Sequence, residues 1–225
     1  LENRYQWKNS VGPVENRPVN LDRWSYCHFE RMFPDYYQSY GLGFYELFRF
    51  AEEIGAEPLP VISCGMACQF QNDPSWPVNA PLDGLQPYIQ DALDLVEFAN
   101  GPVGSKWGRV RAEMGHPEPF DLEYLAIGNE EVGEAFFDRY KIVLDAVRRK
   151  YPEIKIVGTA GFAAAGGEFE RGWKHSRETA TDIVDEHYYM APEWFLKNTD
   201  RYDSYDRKGP KVFVGEFASR GNTWY

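Results

Sequence analysis

Five short apolar runs, at 57–64, 122–128, 154–160, 183–189 and 211–217, constrain the fold of this chain more than any other feature. Each has the length of a strand, and helix-forming stretches lie between them. Residues 44–53 carry Phe44, Leu47, Phe48 and Ala51 at helical spacing, with Gly55 as a stop. Over 85–99, Leu85, Ile89, Ala92, Leu93 and Val96 form one apolar stripe. Over 136–151, Phe136, Tyr140, Val143, Leu144 and Val147 do the same. There Arg148, Arg149 and Lys150 occupy the last turns, where cations suit the helix dipole, and Pro152 ends the run. Residues 163–167 read as a strand-to-helix loop, and a short helix is expected around 192–198. Strands separated by helices imply right-handed βαβ units and a parallel sheet. That pattern leaves a (β/α)8 (TIM) barrel and a doubly wound sheet open.

A doubly wound sheet that holds a nucleotide needs a Gly-rich first turn. Neither Gly101-Pro102-Val103-Gly104 nor the glycines from Gly161 to Gly167 have the required spacing. With 24 Lys+Arg against 35 Asp+Glu, the net charge is −11, which argues against a nucleic-acid partner. No apolar stretch reaches membrane-spanning length and the first residues resemble no leader, so no membrane anchor is expected. Three cysteines, Cys27, Cys64 and Cys68, cannot form a disulfide framework. Cys64 and Cys68 lack the second pair a zinc site needs, so no metal is expected. There is no repeat or linker, so one domain is expected. Its 225 residues fall short of the roughly 250 of a complete barrel, and the first 40 or so read mostly as loop.

Two carboxylates occupy equivalent places. Glu130 follows the strand that ends at Gly128-Asn129, and Glu216 lies near the end of the last strand. In a parallel barrel the C-terminal strand ends surround one mouth. The interval, 216 − 130 = 86 residues, equals three βα units of roughly 29 residues each, near the usual unit length. That geometry suits glycoside hydrolysis, in which one carboxyl protonates the leaving oxygen while the other attacks the anomeric carbon, the two carboxyls being about 5–5.5 Å apart in retaining enzymes. His187 and Tyr189, on one side of the intervening strand by alternation, are placed to donate towards Glu216. Glu186 then faces away, and Glu131 and Glu134 read as first-turn helix residues favoured by the dipole. Trp107 and Trp76 read as structural or rim residues.

At these residues the chain resembles a known family. Ile127-Gly128-Asn129-Glu130-Glu131, Asp185-Glu186-His187-Tyr188-Tyr189 and Val214-Gly215-Glu216-Phe217-Ala218 closely resemble the catalytic segments of α-L-arabinofuranosidases of glycoside hydrolase family 51, a clan A (β/α)8 family. Asn3-Arg4-Tyr5-Gln6-Trp7-Lys8 with Val11-Gly12-Pro13, and Gly115-His116-Pro117-Glu118-Pro119-Phe120, match as well. The resemblance implies that Glu130 is the acid/base and Glu216 the nucleophile. It implies that Asn129 binds the hydroxyl beside the reacting carbon, that His187 and Tyr189 orient nucleophile and ring, and that Trp24 lines the arabinose pocket. The Tyr36-Tyr37 cluster near Tyr40 departs from the family's short loop and is expected to shape access. Family members carry an earlier Gly-Gly loop, a strand with a sugar-binding carboxylate, an eighth barrel strand and a C-terminal β-sandwich. None of these is recognisable in residues 1–225, so the expectation is a partial catalytic barrel.

The implied function is retaining removal of terminal α-L-arabinofuranosyl groups from polysaccharides or oligosaccharides, with no cofactor. The family resemblance also raises a homo-oligomer as an expectation. Two alternatives stay open: another clan A retaining glycosidase, such as a β-xylosidase or endoglucanase, and a carbohydrate-binding fragment without turnover.

Overall fold

The computed structural model describes residues 4–22, 36–66 and 79–220. Its elements in chain order are β1 (Val19–Asp22), β2 (Tyr36–Ser39), α1 (Phe44–Ile54), β3 (Val61–Ile62), α2 (Gln86–Asn100), α3 (Lys106–Glu113), β4 (Tyr124–Ile127), α4 (Glu134–Lys150), β5 (Lys155–Thr159), α5 (Gly167–Glu178), β6 (Ile183–Met190), α6 (Pro192–Lys197) and β7 (Lys211–Ser219). β3 to β7 form a parallel five-stranded sheet in sequence order, and β1 pairs antiparallel with β2 in a separate ribbon. The five expected strands are all present and parallel, so the architecture is α/β.

One boundary differs from expectation for an identifiable reason. The run at 57–64 contributes only Val61 and Ile62 to the sheet. Pro58 and Pro60 have no N–H to donate, although the Pro60 carbonyl still accepts from Ala126 at 3.0 Å. Within the first 40 residues, otherwise read as mostly loop, β1 and β2 pair as two short antiparallel strands. Two helices had no apolar stripe to announce them: α3 (KWGRVRAE) and α5 (GEFERGWKHSRE) are largely polar and contain glycine.

Burial explains the layering. Leu125 and Ile127 of β4 and Ile156 of β5 are fully buried, as expected of strands covered on both faces. They pack with Leu95, Val96, Phe98 and Ala99 of α2 and with Phe136, Tyr140, Val143, Leu144 and Val147 of α4. Arg111, itself fully buried, closes the C-terminal end of α2. It donates to the carbonyls of Phe98 (2.7 Å), Ala99 (3.1 Å) and Gly101 (2.8 Å), and to those of His116 and Pro117. Those carbonyls have no partner within the helix, and the guanidinium fork satisfies several at once.

The N-terminal segment is fastened to α2. Lys8 Nζ pairs with Asp91 at 2.8 Å and Asp94 at 2.5 Å, and Trp7 Nε1 donates to the Asp91 carbonyl at 3.1 Å. Trp107 is buried against Trp7, with centroids 5.0 Å apart, which bears out its structural reading. His116 stacks on Phe120 at 4.1 Å and contacts Glu52, so that motif is structural too. Tyr40 is buried and stacks on Tyr5, while Tyr37 is exposed. Among the described residues no helix is long and apolar enough to cross a membrane.

Candidate active site

The sheet order puts β4 and β7 three strands apart, and the carboxylates that follow from them meet. Glu130 is buried in the loop after β4, and Glu216 on β7 is partly exposed. A ligand atom from each of Glu130, His187 and Glu216 lies within 4.8 Å of the others. His187 is buried between them. Its Nδ1 donates to Glu130 Oε1 at 2.8 Å and lies 3.5 Å from Glu216 Oε2, and its Nε2 donates to Asp185 Oδ2 at 3.0 Å. The hydroxyl of Tyr189 donates to Glu216 Oε2 at 2.6 Å.

Tyr189 therefore meets its expectation. His187 departs from it, because Nδ1 carries one proton and the nearer acceptor is Glu130 rather than Glu216. While Glu130 and Asp185 are both ionised, the single N–H of a neutral imidazole cannot serve both, and the ring is the imidazolium. Burial opposes that charge, but hydrogen bonds to Asp185 and Glu130 and the nearby Asp185 and Glu216 charges outweigh it, and the ring titrates at about 10. The Glu216 hydrogen bond and burial hold the Tyr189 phenol protonated up to about 12.

The loop that carries Glu130 is tightly made. Glu130 sits at φ +64, a left-handed conformation that non-glycine residues rarely adopt. Gly128 precedes it at φ +81, where a β-carbon would meet Glu131 Oε2 and Phe136, each at 2.7 Å. Glu131 lies in this loop, ahead of α4, which corrects its expected place in the first helical turn; Glu134 does open the helix. The Glu131 carboxyl is buried and accepts a hydrogen bond from the Asn129 N–H. Burial pushes the Glu131 carboxyl up to about 8.

A model of the alpha-L-arabinofuranosidase 1 domain matches residues 1–207. The chain belongs to this family. It is 52% identical over 229 residues to an extracellular exo-alpha-L-arabinofuranosidase of Streptomyces chartreusis, a match that takes in 98% of this chain and 25% of that protein. Alpha-L-arabinofuranosidase 1 of Arabidopsis thaliana is 36% identical over 223 residues, covering 98% of this chain and 29% of the relative. Among solved structures, an arabinose-bound GH51 α-L-arabinofuranosidase superposes with a TM-score of 0.76 at 29% identity, over 97% of this chain and 31% of its own. The chain thus spans between a quarter and a third of the length of these relatives.

Two residues beside this candidate site, Asp185 and Arg220, are given no role by the sequence reading of this arabinofuranosidase-family domain. Asp185 has the same parity as His187 and Tyr189, a signal that was available. Arg220 lies over the Tyr189 ring, 4.4 Å from its centroid. Glu186 faces away from His187, as alternation requires, and is a fully buried junction. Its oxygens accept from Trp173 Nε1 and Tyr205, each at 2.8 Å, and from Tyr188, and Arg201 pairs with it at 3.1 Å. Trp24, Trp76, Cys27 and Cys68 lie outside the described residues. Cys64 is a buried free thiol, pushed well above its usual range by burial.

Glu130, His187 and Glu216 are close enough together to be considered as metal ligands. In this structure the His187 ring is in hydrogen-bond contact with Glu130 through Nδ1 and with Asp185 through Nε2.

Proposed function

We propose that this domain is the central and catalytic part of a (β/α)8 barrel whose remaining strands lie outside residues 1–225, and that it performs retaining hydrolysis of terminal α-L-arabinofuranosides. The observation that carries the reading is the closeness of the Glu130 and Glu216 carboxylates, whose nearest oxygens lie within 4.8 Å. Inverting enzymes keep their carboxyls about 6.5–9.5 Å apart to admit water, and retaining enzymes about 5–5.5 Å. Among the described residues β3 and β7 are the edges of the sheet, with Val61, Phe213 and Phe217 exposed, which supports the barrel reading.

In the first step Glu216 attacks the anomeric carbon and the glycosidic bond breaks, while Glu130 passes its proton to the departing oxygen. If His187 donates to Oε1 of Glu130, the proton that Glu130 transfers is the one on Oε2. In the second step Glu130 takes a proton from water, the resulting hydroxide attacks the same carbon, and Glu216 leaves as carboxylate. Tyr189 holds Glu216 in line for attack. Asn129 is assigned to the sugar hydroxyl beside the reacting carbon and Trp24 to the pocket wall, both from the family resemblance. Carboxyls supply both the acid and the nucleophile, so the scheme requires no cofactor. Arabinofuranosyl substrates follow from what the relatives are named for.

In the full-length protein, Glu216→Ala is expected to abolish turnover of an aryl α-L-arabinofuranoside. Glu130→Ala should retain glycosylation by substrates whose leaving groups need no proton, and azide should restore its turnover. Wild-type turnover by Glu216→Ala would sink the assignment. Preference for a β-xyloside across an aryl-glycoside panel would move the reading to another retaining activity.

A further inference from the structure

Glu216 faces the site only because β7 is irregular. Asp185 pairs with Phe213 and His187 pairs with Glu216, so two steps along β6 stand against three along β7. Residues side by side in a sheet share a face. In unbroken register His187 would lie beside Gly215, and Glu216 would point to the face that carries Val212 and Val214. The extra residue on β7 is a β-bulge, a device that re-aims a side chain by one position.

A bulge leaves backbone groups outside the ladder, and here one of them has a dedicated partner. Asp185 Oδ1 accepts from the Gly215 N–H at 2.7 Å, while Oδ2 of the same carboxylate accepts from His187 Nε2 at 3.0 Å. The fit leaves no room for a side chain at 215. A β-carbon there would lie 2.7 Å from both Asp185 oxygens and 2.9 Å from the Phe213 ring.

We propose that Asp185 is the positioning residue of this site: one carboxylate pins the bulge that turns Glu216 inward and fixes the imidazole that bridges Glu130 and Glu216. The proposal rests on the functional reading above. Asp185 touches neither reacting carboxylate. It acts through Gly215 on one side and through His187 on the other.

The test is a double-mutant cycle in the full-length protein, with an aryl α-L-arabinofuranoside as substrate and Glu216→Ala as the reference for complete loss. Asp185→Ala and Gly215→Ala are each expected to lower kcat by about 100-fold with KM within about threefold, because sub-ångström aim of a nucleophile carries that weight. In the Asp185→Ala background, Gly215→Ala should cost about tenfold less than it does alone, since its clash with the carboxylate is gone. Should Asp185→Ala not fold, Asp185→Asn decides: it keeps an acceptor for Gly215 but not for His187, and a kcat lowered by about tenfold is expected. Wild-type kcat in Asp185→Asn, or strictly additive losses in the cycle beside an inactive Glu216→Ala, would overturn the positioning role alone. Turnover retained by Glu216→Ala would instead overturn the functional reading, and this proposal with it.

Discussion

His187 Nδ1 donates to Glu130 Oε1 across 2.8 Å, joining a buried position of β6 to the loop that follows β4. With Asp185 on the opposite nitrogen, the ring is held as a cation that titrates at about 10 rather than at its ordinary 6.5. The sign of the linkage follows. A group whose value is raised on folding stabilises the fold fully below its unfolded value and loses that contribution as pH rises through the folded one. Stability is therefore expected to decline between about pH 6.5 and 10, and His187→Gln should flatten the decline. Thermal unfolding across that range checks this, and an unchanged pH dependence in His187→Gln would refute it.

Tyr189→Phe removes the 2.6 Å hydrogen bond to Glu216 and leaves the ring under Arg220. A hydrogen bond to a charged group contributes about 1.5–3 kcal/mol, and partial exposure of Glu216 places this one at the lower end. The expected result is a fall in kcat/KM of about tenfold with little change in melting temperature. Steady-state kinetics beside a thermal melt separates this from a folding defect.

Glu131 offers a prediction of opposite practical use. Burial raises its carboxyl from 4.5 to about 8, so ionisation costs the folded state stability as pH rises from about 4.5 to 8. Glu131→Gln keeps an oxygen for the Asn129 N–H and cannot ionise. It should match the natural protein near pH 4.5 and exceed it in stability at pH 8. Denaturant midpoints at the two values test this, and a variant less stable at both would refute it.

Much of this site was legible because its residues stand at the ends of strongly patterned strands. The three-strand interval between Glu130 and Glu216 follows from the length of a βα unit, and alternation correctly separates Glu186 from His187. The aim of Glu216 was not legible, since period-two counting along β7 carries no sign of an extra residue at Gly215. The parity of Asp185 with His187 was legible, but its contact with the Gly215 N–H depends on the bulge and was not. Glu131 was read as helical because acidic residues favour first turns, whereas the positive φ of Glu130 and Gly133 delays the helix to Glu134. In α5 the apolar contact with the sheet comes from Trp173 alone among its fully buried large side chains, too little for a stripe.

The junction behind the site carries the last prediction. Glu186 is fully buried, and Arg201 is its cationic partner at 3.1 Å, also donating to the Ala164 carbonyl at 2.7 Å. The guanidinium lies about equally over the rings of Phe169 and Tyr188, 5.0 Å from each. This pair binds the loop before α5 and the turn after α6 to the back of β6, opposite Asp185 and His187. Removing one partner of a buried pair strands the other charge, at a cost of about 3–5 kcal/mol, whereas removing both charges is much milder. Arg201→Leu is therefore expected to lose several kcal/mol of unfolding free energy by chemical denaturation, and Glu186→Gln in the same chain should recover a large part of it. A single Arg201→Leu variant within about 1 kcal/mol of the natural protein would show that the hydroxyl and indole donors around Glu186 suffice to hold its charge.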